Sequence, residues 1–350
     1  MLRTSLIPDS GVIVNRRRPS RFLVGLCCVL ALVGAAATGC TDDDGGSSAK
    51  ITLGYGAFPG WLPWKVAEEQ GLFKKNGLTV ELKYFESITD GNNAMASGAL
   101  DANNQTLNDT LALLSGGGKP HKVVTIEDSS TGADQIIARE GIASLNDLKG
   151  KKIAVEEGIV SHYLLRLALD EVNLTFDDVD LELLTTDAAT AAFVNGQVDA
   201  VVNYAPFTTT ALERAGARAI ATTAEFPEAL TDHLVVSDDM LKSRPNDVQA
   251  LVNTWFDTLA WINDNTPAAN KIMAKQAGVP AKDYNSYSAG LSMLTVQQNI
   301  DAFTPGVTRK NLNFLAEDIA DFLVDTGLAE KRPDNKNLLD DKFVRAAAKR

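Results

Sequence analysis

The stretch Val155–Leu165, VEEGIVSHYLL, places a glycine and a Ser-His pair where a helical pattern begins. The first turn of a helix leaves backbone N–H groups without acceptors and carries a partial positive charge. Such a turn can hold an oxygen-bearing group that arrives from outside. Gly158 permits close backbone approach here. The amides around Val160, Ser161 and His162 supply donors, and the Ser161 hydroxyl and a His162 ring nitrogen can add to them. The competing reading is local: Ser161 caps its own helix, and His162 is a surface residue at a helix start.

Other residues of the same character fall in short loops that follow apolar stretches. Phe58, Trp61, Tyr204 and Phe207 can form walls, since small-molecule clefts are mostly apolar with a few placed polar groups. Pro206 fixes a turn beside Tyr204. Thr106, Asn108 and Asp109 form a second polar loop, Ser130 and Asp134 a third, and Asp232 precedes a strand. Each aspartate could equally cap a helix or pin a turn. Yet Tyr55–Trp61, Thr106–Asp109, Gly158–His162 and Tyr204–Phe207 contain no Lys or Arg. Acids and backbone donors without a cation suit a small zwitterion or cation-bearing solute better than a bare oxyanion.

The elements that must position these loops occur twice. KITLGYGAFPGWLPWKVAEEQG and KKIAVEEGIVSHYLLRLALDE both read as strand, Gly-containing loop, helix. AMASGALDANNQTLND and AFVNGQVDAVVNYAPF both read as helix end, glycine, one residue, an apolar residue, Asp-Ala, strand, polar loop. Gly98 and Gly196 stand where a helix C-cap needs a left-handed residue. Short strands alternating with helices predict mainly parallel sheets of βαβ units. The fold class is therefore α/β with two similar lobes, and ligands of such sheets bind at the carboxyl ends of strands. DQIIARE and DHLVVSD read as the strands linking the lobes. That gives lobe I as 51–139 plus 237–350 and lobe II as 140–236. From about Leu241 the chain reads as helical, with Val248, Leu251, Val252 and Trp255 on one face.

Residues 1–39 read as a signal peptide: a basic run at Arg16–Arg18, an apolar stretch, then Ala37-Thr38-Gly39-Cys40. The last four resemble a bacterial lipobox, which implies lipid attachment at Cys40 and a flexible tether over 40–50. All three cysteines lie in or at the end of this leader, so the chain after Cys40 contains no cysteine, and with it no disulfide and no thiol nucleophile. Loss of five arginines and Asp9 with the leader moves the net charge from −12 to −16. Such a surface repels phosphates and excludes nucleic acid as a partner. A chain of 311 residues exceeds what one core usually holds, which again predicts two lobes.

The set AEEQGLFKKNGLTVEL, ASGALDA, SSTGADQIIARE, SLNDLKGKKIAVEEGIVSHYLL, NGQVDAVVNYAPF and DIADFLVDTG, in this order behind a lipobox, resembles the nitrate/taurine/sulfonate family. Its members are substrate-binding proteins of ABC importers. The resemblance implies a type II periplasmic-binding fold and a ligand cleft between the lobes. It also implies a monomer held by a lipid anchor on the outer side of the cell membrane, capturing a small solute for a cognate ABC permease. The Val160 helix start points into the cleft in that family. Many members have an Asp-Trp pair after the first strand, where this chain reads GYGAFPGWLPW. A taurine-like aminosulfonate fits both kinds of donor set, anion to the helix and amine to aspartate. A urea- or guanidine-type nitrogen compound and a nitrate-like anion remain alternatives.

Enzyme signatures are absent. A related branch makes a thiamin pyrimidine with a cysteine-rich run, and no cysteine follows Cys40. His121, His162 and His233 lack metal-ligand spacing, so neither a metal nor a cofactor is expected. SGGGKP at Ser115–Pro120 fails as a phosphate loop because Pro120 replaces the magnesium-binding Ser or Thr. A structural lipoprotein without a solute is the remaining rival.

Overall fold

The computed structural model describes residues 49–350. The signal peptide, Cys40 and all but the last two residues of the 40–50 tether lie outside the described residues.

Two sheets carry the fold. The first contains β1 (Ile51–Gly56), β2 (Val80–Phe85), β3 (Ala102–Thr106), β4 (His121–Ser130), β10 (Thr231–Ser237) and β11 (Leu291–Met293). The second contains β5 (Gln135–Ala138), β6 (Lys152–Val155), β7 (Asp180–Leu183), β8 (Ala200–Asn203) and β9 (Arg218–Thr222). Their orders are β11-β4-β10-β3-β1-β2 and β7-β6-β8-β5-β9. In the first, β1 lies parallel to β2 and β3, while β10 runs antiparallel to β3 and β4. In the second, β6 lies parallel to β7 and β8, while β5 runs antiparallel to β8 and β9. Each lobe therefore has a parallel heart with antiparallel strands beside it.

The sequence echo has a physical basis. Asp101 Oδ2 accepts from the Thr52 amide at 2.8 Å, and Asp199 Oδ2 accepts from the Lys152 amide at 3.0 Å. In return, the Asp101 amide donates to the Thr52 carbonyl and the Asp199 amide to the Lys152 carbonyl. The Asp of each Asp-Ala pair thus ties the start of one strand to the start of its parallel neighbour. Gly98 and Gly196 end the preceding helices at φ of 79° and 76°, which places Leu100 and Val198 inside the core.

The lobe boundaries differ from the sequence reading. Gln135–Ala138 pairs wholly within the second sheet and Thr231–Ser237 wholly within the first. The chain therefore crosses between lobes at 131–134 and 223–230, in a bend and in a segment that opens with the 3-10 turn Thr223–Glu225, rather than in strands. Each of these two strands is flanked on both sides within its own sheet, so neither is the link. The two crossings are pinned together instead. The Ser130 and Thr223 hydroxyls are hydrogen-bonded at 2.6 Å, and the Gly132 amide donates to Thr223 Oγ1 at 2.8 Å.

Helices Asp238–Ser243, Pro245–Asp264 and Thr266–Ala277 follow the last long strand. Trp255 is fully buried and packs on Trp64, with ring centroids 4.9 Å apart. The main core continues from lobe to lobe through Tyr163 of the Val160–Asp170 helix and Phe322 of the Leu312–Asp325 helix, whose rings meet edge-on. Among the described residues, no helix is long and apolar enough to cross a membrane.

Candidate cleft between the lobes

The Val160 helix start is built differently from a self-capped turn. Ile159 occupies the N-cap position and offers no side-chain bond. Ser161 sits one residue inside the helix, and its buried hydroxyl has no hydrogen-bond partner. The local reading of Ser161 as its own cap is therefore corrected: a cap must precede the first turn to reach the N–H groups at its second or third position. His162 and Tyr163 are the first amides with an acceptor, both bonding the Ile159 carbonyl. The Val160 and Ser161 amides find none among the described residues.

Gly158 holds this turn at φ 80°. A side chain there would meet only Leu328 at 3.7 Å, so the backbone angle, not lack of space, calls for glycine. His162 supports the turn from behind. Its Nδ1 accepts from the Gly158 amide at 3.3 Å, which leaves the proton on Nε2. The ring packs on Phe176 and Phe322, at centroid distances of 4.8 and 5.5 Å. Burial lowers its pKa to about 4, so the imidazole is neutral at ordinary pH.

Phe58, Trp61, Thr106, Asp134, Val160, Tyr204 and Asp232, with Ile88 and Leu230, line a cavity between the lobes. Phe58 is the hub of its apolar wall. Its ring lies edge-on to Trp61 at 5.8 Å and to Tyr204 at 6.1 Å, so one lobe's wall meets the other's. The enclosed space is about 10 Å³, room for roughly one water. The lobes are shut, and any larger solute requires them to part. A wider depression of about 500 Å³ lies behind the crossings, against Thr131, Pro227, Thr231 and Arg309. It lacks the free helix-start amides and the aromatic wall.

The remaining expected residues stand next to the cavity rather than on it. Asn108 donates from its side chain to the Gly158 carbonyl at 2.5 Å. The Asp109 amide donates to Thr106 Oγ1, which caps the Leu107–Ser115 helix. Burial raises the Asp109 carboxyl to about 6 against the bonds that Thr106 and Asn92 give it. Ser130 organises the crossing, as above. Phe207 packs edge-on against Tyr204 at 5.6 Å and is only partly buried.

Asp134 and Asp232 face the cavity, and Asp128 backs them. Asp128 and Asp232 are paired across β4 and β10, and all three are buried. Burial lifts Asp134 to about 6. Burial, then neighbouring carboxylates, push Asp128 and Asp232 well above the ordinary range. None of the three has an ion-pair partner among the described residues. Asp128 escaped sequence reasoning because TIEDSS reads as an ordinary strand end. Its one sequence signal is an acid in the middle of an otherwise buried strand, next to Glu127.

A sequence model of the NMT1-like family matches residues 44–278. The chain is 27% identical over 278 residues to the taurine-binding periplasmic protein of Escherichia coli (strain K12), covering 76% of this chain and 83% of that one. Its fold is similar to the crystal structure of the periplasmic aliphatic sulphonate binding protein SsuA from Escherichia coli. The TM-score is 0.69 at 21% identity, over 83% of this chain and 92% of that one. It is also similar to the desulfurization enzyme DSZB, with a TM-score of 0.61 at 19% identity over 86% of this chain and 99% of that one. The two-lobe periplasmic-binding fold is thereby established, and enzymes as well as binding proteins share it.

Proposed function

The chain belongs to the NMT1-like family, and from that premise we propose that it is the extracytoplasmic substrate-binding component of an ABC importer, capturing a taurine-like aminosulfonate. It works as a binding protein and not as an enzyme. In this reading, the lobes close on the solute and present it to a membrane permease, while a lipid on Cys40 keeps the protein at the membrane.

One observation carries the choice of solute. Val160, whose helix-start amide and that of the next residue Ser161 are unpaired, lines the same cleft as two buried acids, Asp134 and Asp232, and no Lys or Arg lines it. The sulfonate accepts from the amides, assisted by the positive end of the helix. The ammonium lies toward the acids, with Phe58, Trp61 and Tyr204 excluding water. Hydrogen bonds to charged groups contribute about 1.5–3 kcal/mol each, so two or three of them with an apolar wall reach roughly micromolar affinity. The same absence of a cation favours an amine-bearing solute over a nitrate-like anion.

The test is thermal melting against a panel of taurine, ethanesulfonate, guanidinium, urea and nitrate, because a ligand that binds only the native state raises the midpoint. Taurine is expected to give the largest shift. A larger shift with guanidinium or urea would move the assignment to the cationic or amide class, and a flat panel would remove solute capture.

A further inference from the structure

The Asp128–Asp232 pair poses a problem that the cleft chemistry leaves open. The two residues stand opposite each other on β4 and β10. They are 0% and 5% exposed. Neither carboxyl oxygen of Asp128 receives a donor from any described residue, and Gly60 packs so closely on this carboxyl that a side chain there would collide with it. The ionisable groups facing the pair are all acids: Glu127 on β4, Asp134 on the first crossing and Asp109 on the following helix. His233, next to Asp232 on β10, is neutral because burial lowers its pKa to about 3. Trp61 borders the same acids. Its indole N–H is buried without a partner at hydrogen-bond geometry, yet it lies close enough to Asp232 to oppose the rise of that carboxyl, and its ring lines the cavity with Asp134 and Asp232.

Two facing carboxylates in a buried site without a cation cannot both be ionised. A carboxylic acid, by contrast, donates to its neighbour and satisfies one oxygen of each. We propose that Asp128 and Asp232 share one proton in the ligand-free protein, and that the ammonium end of the solute replaces it, so that capture releases a proton to solvent. The balance is simple. The proton leaves the pair for a buffer base, no covalent bond to carbon changes, and the pair's charge goes from −1 to −2 as one positive charge enters. Asp128 does not line the cavity, so it acts through Asp232 as a positioning residue. The raised proton affinity of both acids, caused by burial and then by their acidic neighbours, agrees with this arrangement.

The inference rests on the amine-bearing solute proposed above, and one experiment separates the two. Taurine is titrated calorimetrically into the purified protein at pH 7, in buffers of different ionisation heat. About one proton is expected to leave per taurine bound, and affinity should tighten about tenfold per pH unit where the pair holds its proton. In Asp128→Asn the residual binding should release none, and Asp232→Asn provides the same reading if the first variant folds poorly. Binding without buffer dependence, or release unchanged in both variants, would overturn the shared proton. If taurine does not bind, the solute assignment fails instead. The pair is then read in the ligand-free protein by infrared difference spectroscopy between wild type and variant. A protonated-carboxyl carbonyl band at pH 7, lost in Asp128→Asn, supports the shared proton, and its absence overturns it.

Discussion

The Asn108 side chain of the first lobe donates to the Gly158 carbonyl of the second at 2.5 Å. Its own carbonyl oxygen is buried without a partner. Together with the bond from Thr89 Oγ1 to Glu156 Oε1, at 2.8 Å, it spans the closed cleft. Both bonds must break when the lobes part. Asn108→Ala should therefore favour the open form that a solute needs to enter, and tighten taurine binding about 3- to 10-fold, the equivalent of one neutral hydrogen bond. The gain should appear in the association rate. Stopped-flow tryptophan fluorescence checks it, and an unchanged on-rate would show that the bond does not hold the closed form.

Gly158 governs where the free amides point. Its φ of 80° is costly for a side-chain-bearing residue. Gly158→Ala should lower stability by about 1 kcal/mol and weaken binding by more than that, because the Val160 and Ser161 amides shift with the turn. Parallel melting and calorimetric measurements compare the two losses. A stability loss with unaltered affinity would take these amides out of the site.

Trp61 at first sight offers a simple deletion, since it lies in a loop. The structure makes it less simple: its ring is 2% exposed and packs with Phe58 and Leu62. Trp61→Ala should lose stability as well as affinity, by about 3–5 kcal/mol for a buried aromatic. Trp61→Phe keeps a wall and removes the unpaired N–H, so it should fold normally and bind about 5- to 50-fold more weakly, the range of one hydrogen bond to a charged group given up together with some wall area. Equal affinity in Trp61→Phe would leave the ring as wall alone.

Asp134 makes stability depend on pH. Its folded-state pKa of about 6 exceeds the ordinary 3.8. A group raised in this way favours folding while protonated, and that contribution declines as pH rises from about 4 to about 6. His162 acts in the opposite sense: its pKa of about 4 lies below the ordinary 6.5, so its contribution declines as pH falls through that interval. Asp134→Asn removes only the first effect. The variant should be more stable than the wild type by about 1–3 kcal/mol at pH 7.5, with the difference shrinking toward pH 4.5. Denaturant unfolding at both pH values checks the sign. A difference that grows on acidification would mean that Asp134 is ionised and stabilising.

The parts of this fold that read clearly in the sequence are those enforced locally and twice. Asp101 and Asp199 perform the same task in the two lobes, and a task repeated in structure leaves a repeated string. The loops at strand ends followed from that repeat, which is why Phe58, Trp61, Thr106, Val160 and Tyr204 could be named. What depended on register across distant strands was hidden. Asp128 meets Asp232 only because β4 and β10 pair through two irregularities in register, after Asp232 and after Leu234. The lobe crossings were misplaced for a related reason. Gln135–Ala138 is apolar enough for either sheet, and only its pairing with β8 and β9 decides. His162 faces aromatic rings from both lobes, a fact of packing rather than of spacing.

Isothermal titration of the purified protein with taurine, and then with ethanesulfonate, which lacks only the amine, tests most directly the claim that the cleft between the lobes binds both the anion and the cation of a single solute. Taurine should bind with a dissociation constant of roughly micromolar or below, and ethanesulfonate at least about tenfold more weakly, as expected for loss of one hydrogen bond to a charged group. Equal affinity for the two, or heat from neither, would contradict it.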